Sequence, residues 1–187
     1  NKGSSIRRFF AWVLYRWSRL LKRAAEFLVK KVGQPCINKE EIEGILFHRG
    51  RMLLLDQVTM DGEIIIGEFT VTWDVCTGHE PTPGIMVFRG VDLVEMGFQL
   101  LGICVAKDSS LATLTKGKIV AAYRITGAEF RSFVKLGQTV SLQMNKRDVT
   151  HSGRNGLLFI ESGKMVATVC GASGKESILS ISVKAYG

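Results

Sequence analysis

The sequence is poor in the residues that mark special architectures. Three prolines in 187 residues, beside 46% apolar content, exclude a collagen-like repeat and a disordered tail. The four cysteines, Cys36, Cys76, Cys104 and Cys170, stand far apart, and none forms a C-x-x-C pair. A small disulfide scaffold is thereby excluded, and no metal site is expected. Cys104 lies in an apolar run and Cys170 ends one, so both read as small buried hydrophobes. Reduced thiols fit a cytoplasmic protein. No repeat of solenoid period is present. The chain opens on Asn1 rather than Met, which reads as a processed or trimmed start.

Acidic residues are scarce at one end only. Residues 1–35 hold nine basic side chains and one acid, Glu26, a net charge of +8. Residues 36–187 hold sixteen of each sign. The charge therefore belongs to an arm, which argues against a nucleic-acid-binding body. Within residues 6–31, Ile6, Phe9, Val13, Trp17, Leu20, Leu21, Phe27 and Leu28 fall on one helical face. Arg8, Arg16, Arg19, Lys22, Arg23 and Lys30 fall on the other. Gly33 and Pro35 supply a stop. The longest uncharged run, Phe9–Tyr15, is too short to cross a membrane, and the basic residues interrupt any signal-peptide core. Three readings of this arm stand: a peripheral helix on an anionic membrane, a stripe packed on its own domain or a partner subunit, or a dock for an acidic protein. The expected division is a basic helical arm, residues 1–35, followed by one domain, residues 36–187.

Beyond the arm, Lys39–Leu46 reads as a short helix. Strands are expected at Glu63–Val71, Lys118–Ile125, Gln138–Gln143, Leu157–Glu161, Met165–Cys170 and Ile178–Val183, all rich in Ile, Val, Thr and Phe. Asp61-Gly62 and Ser162-Gly163 are turn dipeptides, the second expected to close a hairpin. Gly90–Lys107 is apolar nearly all round and long enough for a helix. A helix of that kind must be wrapped. The expected architecture is α+β: one antiparallel sheet curled around one central helix.

Two polar residues interrupt this helix, Glu95 and Gln99, four apart and so on one face. A carboxyl in such surroundings is costly unless partnered or protonated, which suits an acid. Upstream, His79 opens a loop rich in Pro and Gly, a natural place for a base near neutral pH. An acid and a base aimed at one cavity suit removal of water from a hydroxyl compound. A surface histidine beside a partnered core glutamate fits the same spacing. His48 reads as structural and His151 as solvated in a polar turn.

Several ordered blocks resemble the FabZ-type 3-hydroxyacyl-acyl-carrier-protein dehydratases, hotdog-fold enzymes of fatty-acid synthesis. The family's His-Arg, apolar run and Asp-Arg-Val are matched by His48, Arg49, Leu53–Leu55, Asp56 and Val58. Its Gly-His is matched by Gly78 and His79, with Pro81 as a loose third. Its Glu-x-x-x-Gln-x-x-Gly is matched in full by Glu95, Gln99 and Gly102. A later block is matched by Phe130, Arg131, Val134 and Gly137. The resemblance spans about residues 40–171. It implies dehydration of a 3-hydroxyacyl thioester to the trans-2-enoyl thioester, without a cofactor beyond the phosphopantetheine that carries the substrate. It implies His79 as the base, Glu95 as the acid, Gly90 as the oxyanion donor through its N–H, and Gln99 as the residue that orients Glu95 or a water. It further implies an acyl-carrier-protein partner and a homodimer, with trimers of dimers an extension, because each site draws its His and Glu from different subunits. Met86, Phe88 and Phe98 are candidates for an acyl tunnel. Arg124, Arg131 and Lys135 are candidates for carrier-protein docking.

The departures are local. His79 and Glu95 stand sixteen residues apart, two more than the family pattern, with the extra length around Val87–Arg89. Arg89 replaces a proline, Gly50 replaces a tyrosine, and Phe133 and Leu136 replace two further prolines. Asp92, one turn before Glu95, competes for the acid's role. Two other readings stand beside it, enoyl-CoA hydration and a non-catalytic hotdog that binds acyl chains or a carrier protein; the Glu-x-x-x-Gln pattern argues against a third, thioester hydrolysis.

Overall fold

The computed structural model describes residues 35–118, 121–154, 157–171 and 174–186. Residues 36–187 form one unit. The basic segment 6–31, and the amphipathic helix expected there, lie outside the described residues. Among those described, no helix is long and apolar enough to cross a membrane.

The domain begins with a short strand, β1 (Cys36–Asn38), and a short helix, α1 (Lys39–Ile45). Asn38 caps that helix: its side-chain oxygen accepts from the Glu41 N–H at 2.9 Å. Glu40 and Glu41 in the first turn favour the same end of the helix dipole. Strands β2 (Gln57–Asp61) and β3 (Ile64–Thr70) form a hairpin in which Asp61 pairs with Ile64. Gly62, at φ +58°, takes the left-handed position that this two-residue turn requires. A four-residue helix, α2 (Trp73–Cys76), and a loop lead into the long helix α3 (Gly90–Lys107). A further short helix, α4 (Ser109–Thr115), was not expected from the sequence. Asp108 caps it by accepting from the N–H groups of Ser110 and Leu111.

The remaining strands are β4 (Ala121–Phe130), β5 (Thr139–Asn145), β6 (Val149–Arg154), β7 (Leu157–Ser162), β8 (Met165–Gly171) and β9 (Gly174–Tyr186). All nine belong to one antiparallel sheet in the order β1-β2-β3-β5-β8-β9-β7-β6, with β4 against the other side of β9. Inward residues of β3 and β5 alternate with outward ones, and the inward set packs on α3. Leu93, Met96, Leu100, Leu101 and Ile103 of α3 are almost wholly buried. Gly67 of β3 lets the helix approach. A Cβ there would stand 2.6 Å from Leu55 Cδ2 and 3.0 Å from Leu100 Cδ1. This is the expected sheet wrapped around a central helix, the hotdog arrangement.

Two segments of turn-like composition are strand or strand junction instead. Ser162-Gly163 does not close a hairpin between β7 and β8. Those strands follow one another along β9, with Phe159 opposite Tyr186 and Met165 opposite Ile181. The actual partners are β6 with β7 and β5 with β8. Gly163 marks the step between them, where its N–H bonds the Asp148 carbonyl and a Cβ would stand 2.7 Å from the Asp148 Cβ. His151 is exposed, as expected, but it sits in strand β6 opposite Ile160 rather than in a turn.

Candidate active site

His79 lies just past α2, on a loop tied off at its base. The Val87 N–H bonds the His79 carbonyl at 3.2 Å, and the His79 N–H bonds the Cys76 carbonyl at 2.9 Å. The side-chain Nδ1 stands 3.1 Å from the Val87 carbonyl oxygen. A carbonyl can only accept, so Nδ1 carries the hydrogen and the neutral ring keeps its lone pair on Nε2. The backbone thus sets the tautomer a base requires.

The segment where the chain departs from the FabZ pattern is firmly held. The Phe88 N–H bonds the Val134 carbonyl at 2.8 Å, and the Leu136 N–H bonds the Met86 carbonyl at 3.3 Å. Arg89 then closes on Asp92 with two bonds, Nε to Oδ2 at 2.7 Å and Nη2 to Oδ1 at 2.9 Å. This clamp engages both oxygens of Asp92. Gly90 opens α3, where backbone N–H groups lack partners within the helix. His79, Phe88, Gly90, Leu93 and Phe130–Val134 enclose a cavity of about 230 Å³. A Cβ on Gly90 would stand 3.0 Å from the Phe130 ring, so only glycine leaves that ring undisturbed.

Glu95 lies on the other side. It lines a cavity of about 400 Å³ together with His48, Phe98, Gln99 and residues from the ends of α1 and α4. Gln99 is buried and fully used. Its oxygen accepts from the Leu54 N–H at 2.8 Å, and its Nε2 donates to the Met52 carbonyl at 2.7 Å and to Glu95 Oε1 at 3.2 Å. His48 Nε2 stands 3.0 Å from the same oxygen of Glu95. The structural role expected of His48 thus includes a direct contact with Glu95, which its place before the apolar run did not reveal.

Within one chain, then, His79 and Gly90 share one cavity, and Glu95 and Gln99 share another. The three tunnel candidates divide likewise. Phe98 lines the Glu95 cavity, Phe88 lines the His79 cavity and packs on Phe69, and Met86 lines a third hollow with Trp73 and Leu136. Arg124, Arg131 and Lys135 are all exposed. Arg131 pairs with Glu129 at 3.0 Å on the rim of the His79 cavity. Among the described residues, no group of three His, Cys, Asp or Glu side chains is placed to hold a metal ion. Cys36 is exposed, while Cys76 and Cys104 are buried, and all three are free thiols.

No family model matches the chain. A curated relative, the 3-hydroxyacyl-[acyl-carrier-protein] dehydratase FabZ of Latilactobacillus sakei subsp. sakei (strain 23K), is 29% identical over 141 residues, 72% of this chain and 90% of that protein. Among solved structures, the dehydratase heterocomplex ApeI:P from Xenorhabdus doucetiae matches with a TM-score of 0.52 at 16% identity, covering 78% of this chain and 89% of that one. The second likeness is one of fold, and the first extends through the blocks that hold His79, Glu95 and Gln99. The chain therefore has the hotdog fold and is similar in sequence, at a distance, to a FabZ dehydratase.

Proposed function

We propose that the protein dehydrates a 3-hydroxyacyl thioester, carried on the phosphopantetheine of an acyl carrier protein, to the trans-2-enoyl thioester. The setting is fatty-acid or related acyl-chain synthesis. His79 Nε2 takes the α-proton. The electron pair released forms the Cα–Cβ double bond as the Cβ–O bond breaks, and Glu95 delivers its proton to the departing hydroxyl, which leaves as water. Charge that develops on the thioester oxygen is met by the Gly90 N–H. Gln99 holds Glu95 in place.

The observation that carries this reading is the pairing of a base fixed in the working tautomer by Val87 with a glutamate held by Gln99. Their separation into two cavities of one chain supports a site assembled from two copies. Strand β4 suits such an assembly, because no strand pairs with its outer edge among the described residues and it exposes Ile125 and Phe130. Exposed Arg131 and Lys135 near the His79 cavity suit an acidic carrier protein.

The same separation favours a second reading, a single-chain hotdog that binds acyl groups without turnover. An enoyl-formation assay with a 3-hydroxyacyl carrier protein decides between them. His79→Ala and Glu95→Gln are each expected to lower kcat by about 10²–10⁴-fold. Unchanged turnover in both variants would sink the dehydratase reading, and wild-type protein that binds the acyl carrier without turning it over supports the second.

A further inference from the structure

We propose that His48 is a positioning residue for Glu95, directing the acid's proton to Oε2. The inference rests on the dehydratase reading and extends it to a residue which that reading leaves out.

Both donors that reach Glu95, His48 Nε2 at 3.0 Å and Gln99 Nε2 at 3.2 Å, converge on Oε1. A carboxylic acid has one carbonyl-type oxygen and one hydroxyl oxygen, and N–H donors bond the former. With both donors on Oε1, the proton of the neutral acid rests on Oε2. One side of the carboxyl is thereby committed to the protein and the other is kept for transfer.

The state of His48 agrees. Its Nδ1 is buried and has no hydrogen-bond partner among the described residues. With the hydrogen on Nε2, the ring satisfies Glu95 and leaves only a lone pair unpaired. With the hydrogen on Nδ1, it buries an unpaired N–H and presents a lone pair to Oε1, which is the costlier arrangement on both counts. Phe47 stacks on the imidazole with ring centroids 4.2 Å apart, which limits its rotation. His48 is thus fixed from three directions: its backbone, the ring of Phe47 and the carboxyl it serves.

The test compares His48→Asn with His48→Gln in steady-state enoyl formation from a 3-hydroxyacyl carrier protein. Glutamine carries its N–H about as far out as Nε2 and reaches Glu95, whereas asparagine stops short, near Nδ1. Expected are a kcat about tenfold lower for His48→Asn with KM within about twofold, and recovery to within about threefold of wild type for His48→Gln. Both side chains are polar and of similar size, so a general packing defect lowers both together. His48→Asn as active as wild type, or both variants falling alike, overturns the proposal. Glu95→Gln is measured beside them. If it abolishes turnover while His48→Asn does not lower it, the positioning role alone fails. If it leaves turnover intact, the assignment of Glu95 as the acid fails first.

Discussion

The two ends of the proposed site are built of different materials. At the His79 end the backbone does the holding: a carbonyl fixes the ring, and the loop is tied at Val87, Phe88 and Leu136 by main-chain bonds. At the Glu95 end side chains do it: His48 and Gln99 share one carboxylate oxygen, and Gln99 is itself locked by the main chain at Met52 and Leu54. Backbone support is indifferent to which side chains carry it, so the 87–89 segment departs from the FabZ pattern and still holds His79. Side-chain support has no such freedom, and the Glu-x-x-x-Gln spacing on α3 is kept in full.

The largest expected effect tests whether the two ends meet across a subunit boundary. His79→Ala and Glu95→Gln proteins, each inactive alone, are unfolded together and refolded as a mixture. A dimer of one chain of each kind holds one intact site, so random pairing restores about a quarter of wild-type activity. No recovery after subunit exchange that mass spectrometry has verified would place both ends in one chain.

A smaller effect contrasts the two kinds of support through stability. Gln99→Leu leaves the buried Leu54 N–H without a partner and removes the bond to the Met52 carbonyl, and is expected to cost about 2–4 kcal/mol. Arg89→Ala removes a bidentate bond, but the guanidinium is half exposed, so water repays part of the loss and about 1 kcal/mol is expected. Denaturant unfolding measures both. If Arg89→Ala proved the costlier, the loop would depend on its side-chain clamp rather than on its backbone ties.

This contrast also governs what the sequence could show. Helix α3 was legible to its ends because an apolar run of that length has no other economical use. The expected strands were recovered with shifted boundaries, but β1, β2 and β6 were missed. Strand β2 mixes Gln57, Thr59 and Asp61 into its pattern, and β6 carries Ser152 and Gly153, which read as turn residues until a partner strand fixes them. Ser162-Gly163 has turn composition, yet it makes a step in a running strand, because a local dipeptide does not specify which strands it joins. Glu95 and Gln99 came from the spacing on α3, His79 from its loop, and all three from resemblance. His48 lies 47 positions before Glu95, and nothing at either position reveals a contact that only the packing of the α1 end against α3 creates.

The smallest effect asks which end opens more readily. Buried thiols report it: Cys76 closes α2 and bonds the His79 N–H through its carbonyl, whereas Cys104 lies within α3 beside residues lining the Glu95 cavity. Burial pushes the Cys104 thiol up to about 11 and raises that of Cys76, with the Asp92 and Asp74 carboxylates adding to the latter. Both are therefore neutral and shielded at pH 8, and alkylation requires local opening. A four-residue helix opens at less cost than the middle of an eighteen-residue one. The expected labelling order, resolved by peptide mass spectrometry, is exposed Cys36, then Cys76, then Cys104. Raised pH sharpens the last interval. The folded Cys104 thiol ionises above its unfolded value near 9, so the stability its neutral form contributes is present below pH 9 and lost as pH rises toward 11. Cys104 labelling should accelerate across that window through greater opening as well as greater ionisation. Cys104 labelling ahead of Cys76 at pH 8 would reverse the contrast, making the side-chain-held end the looser of the two.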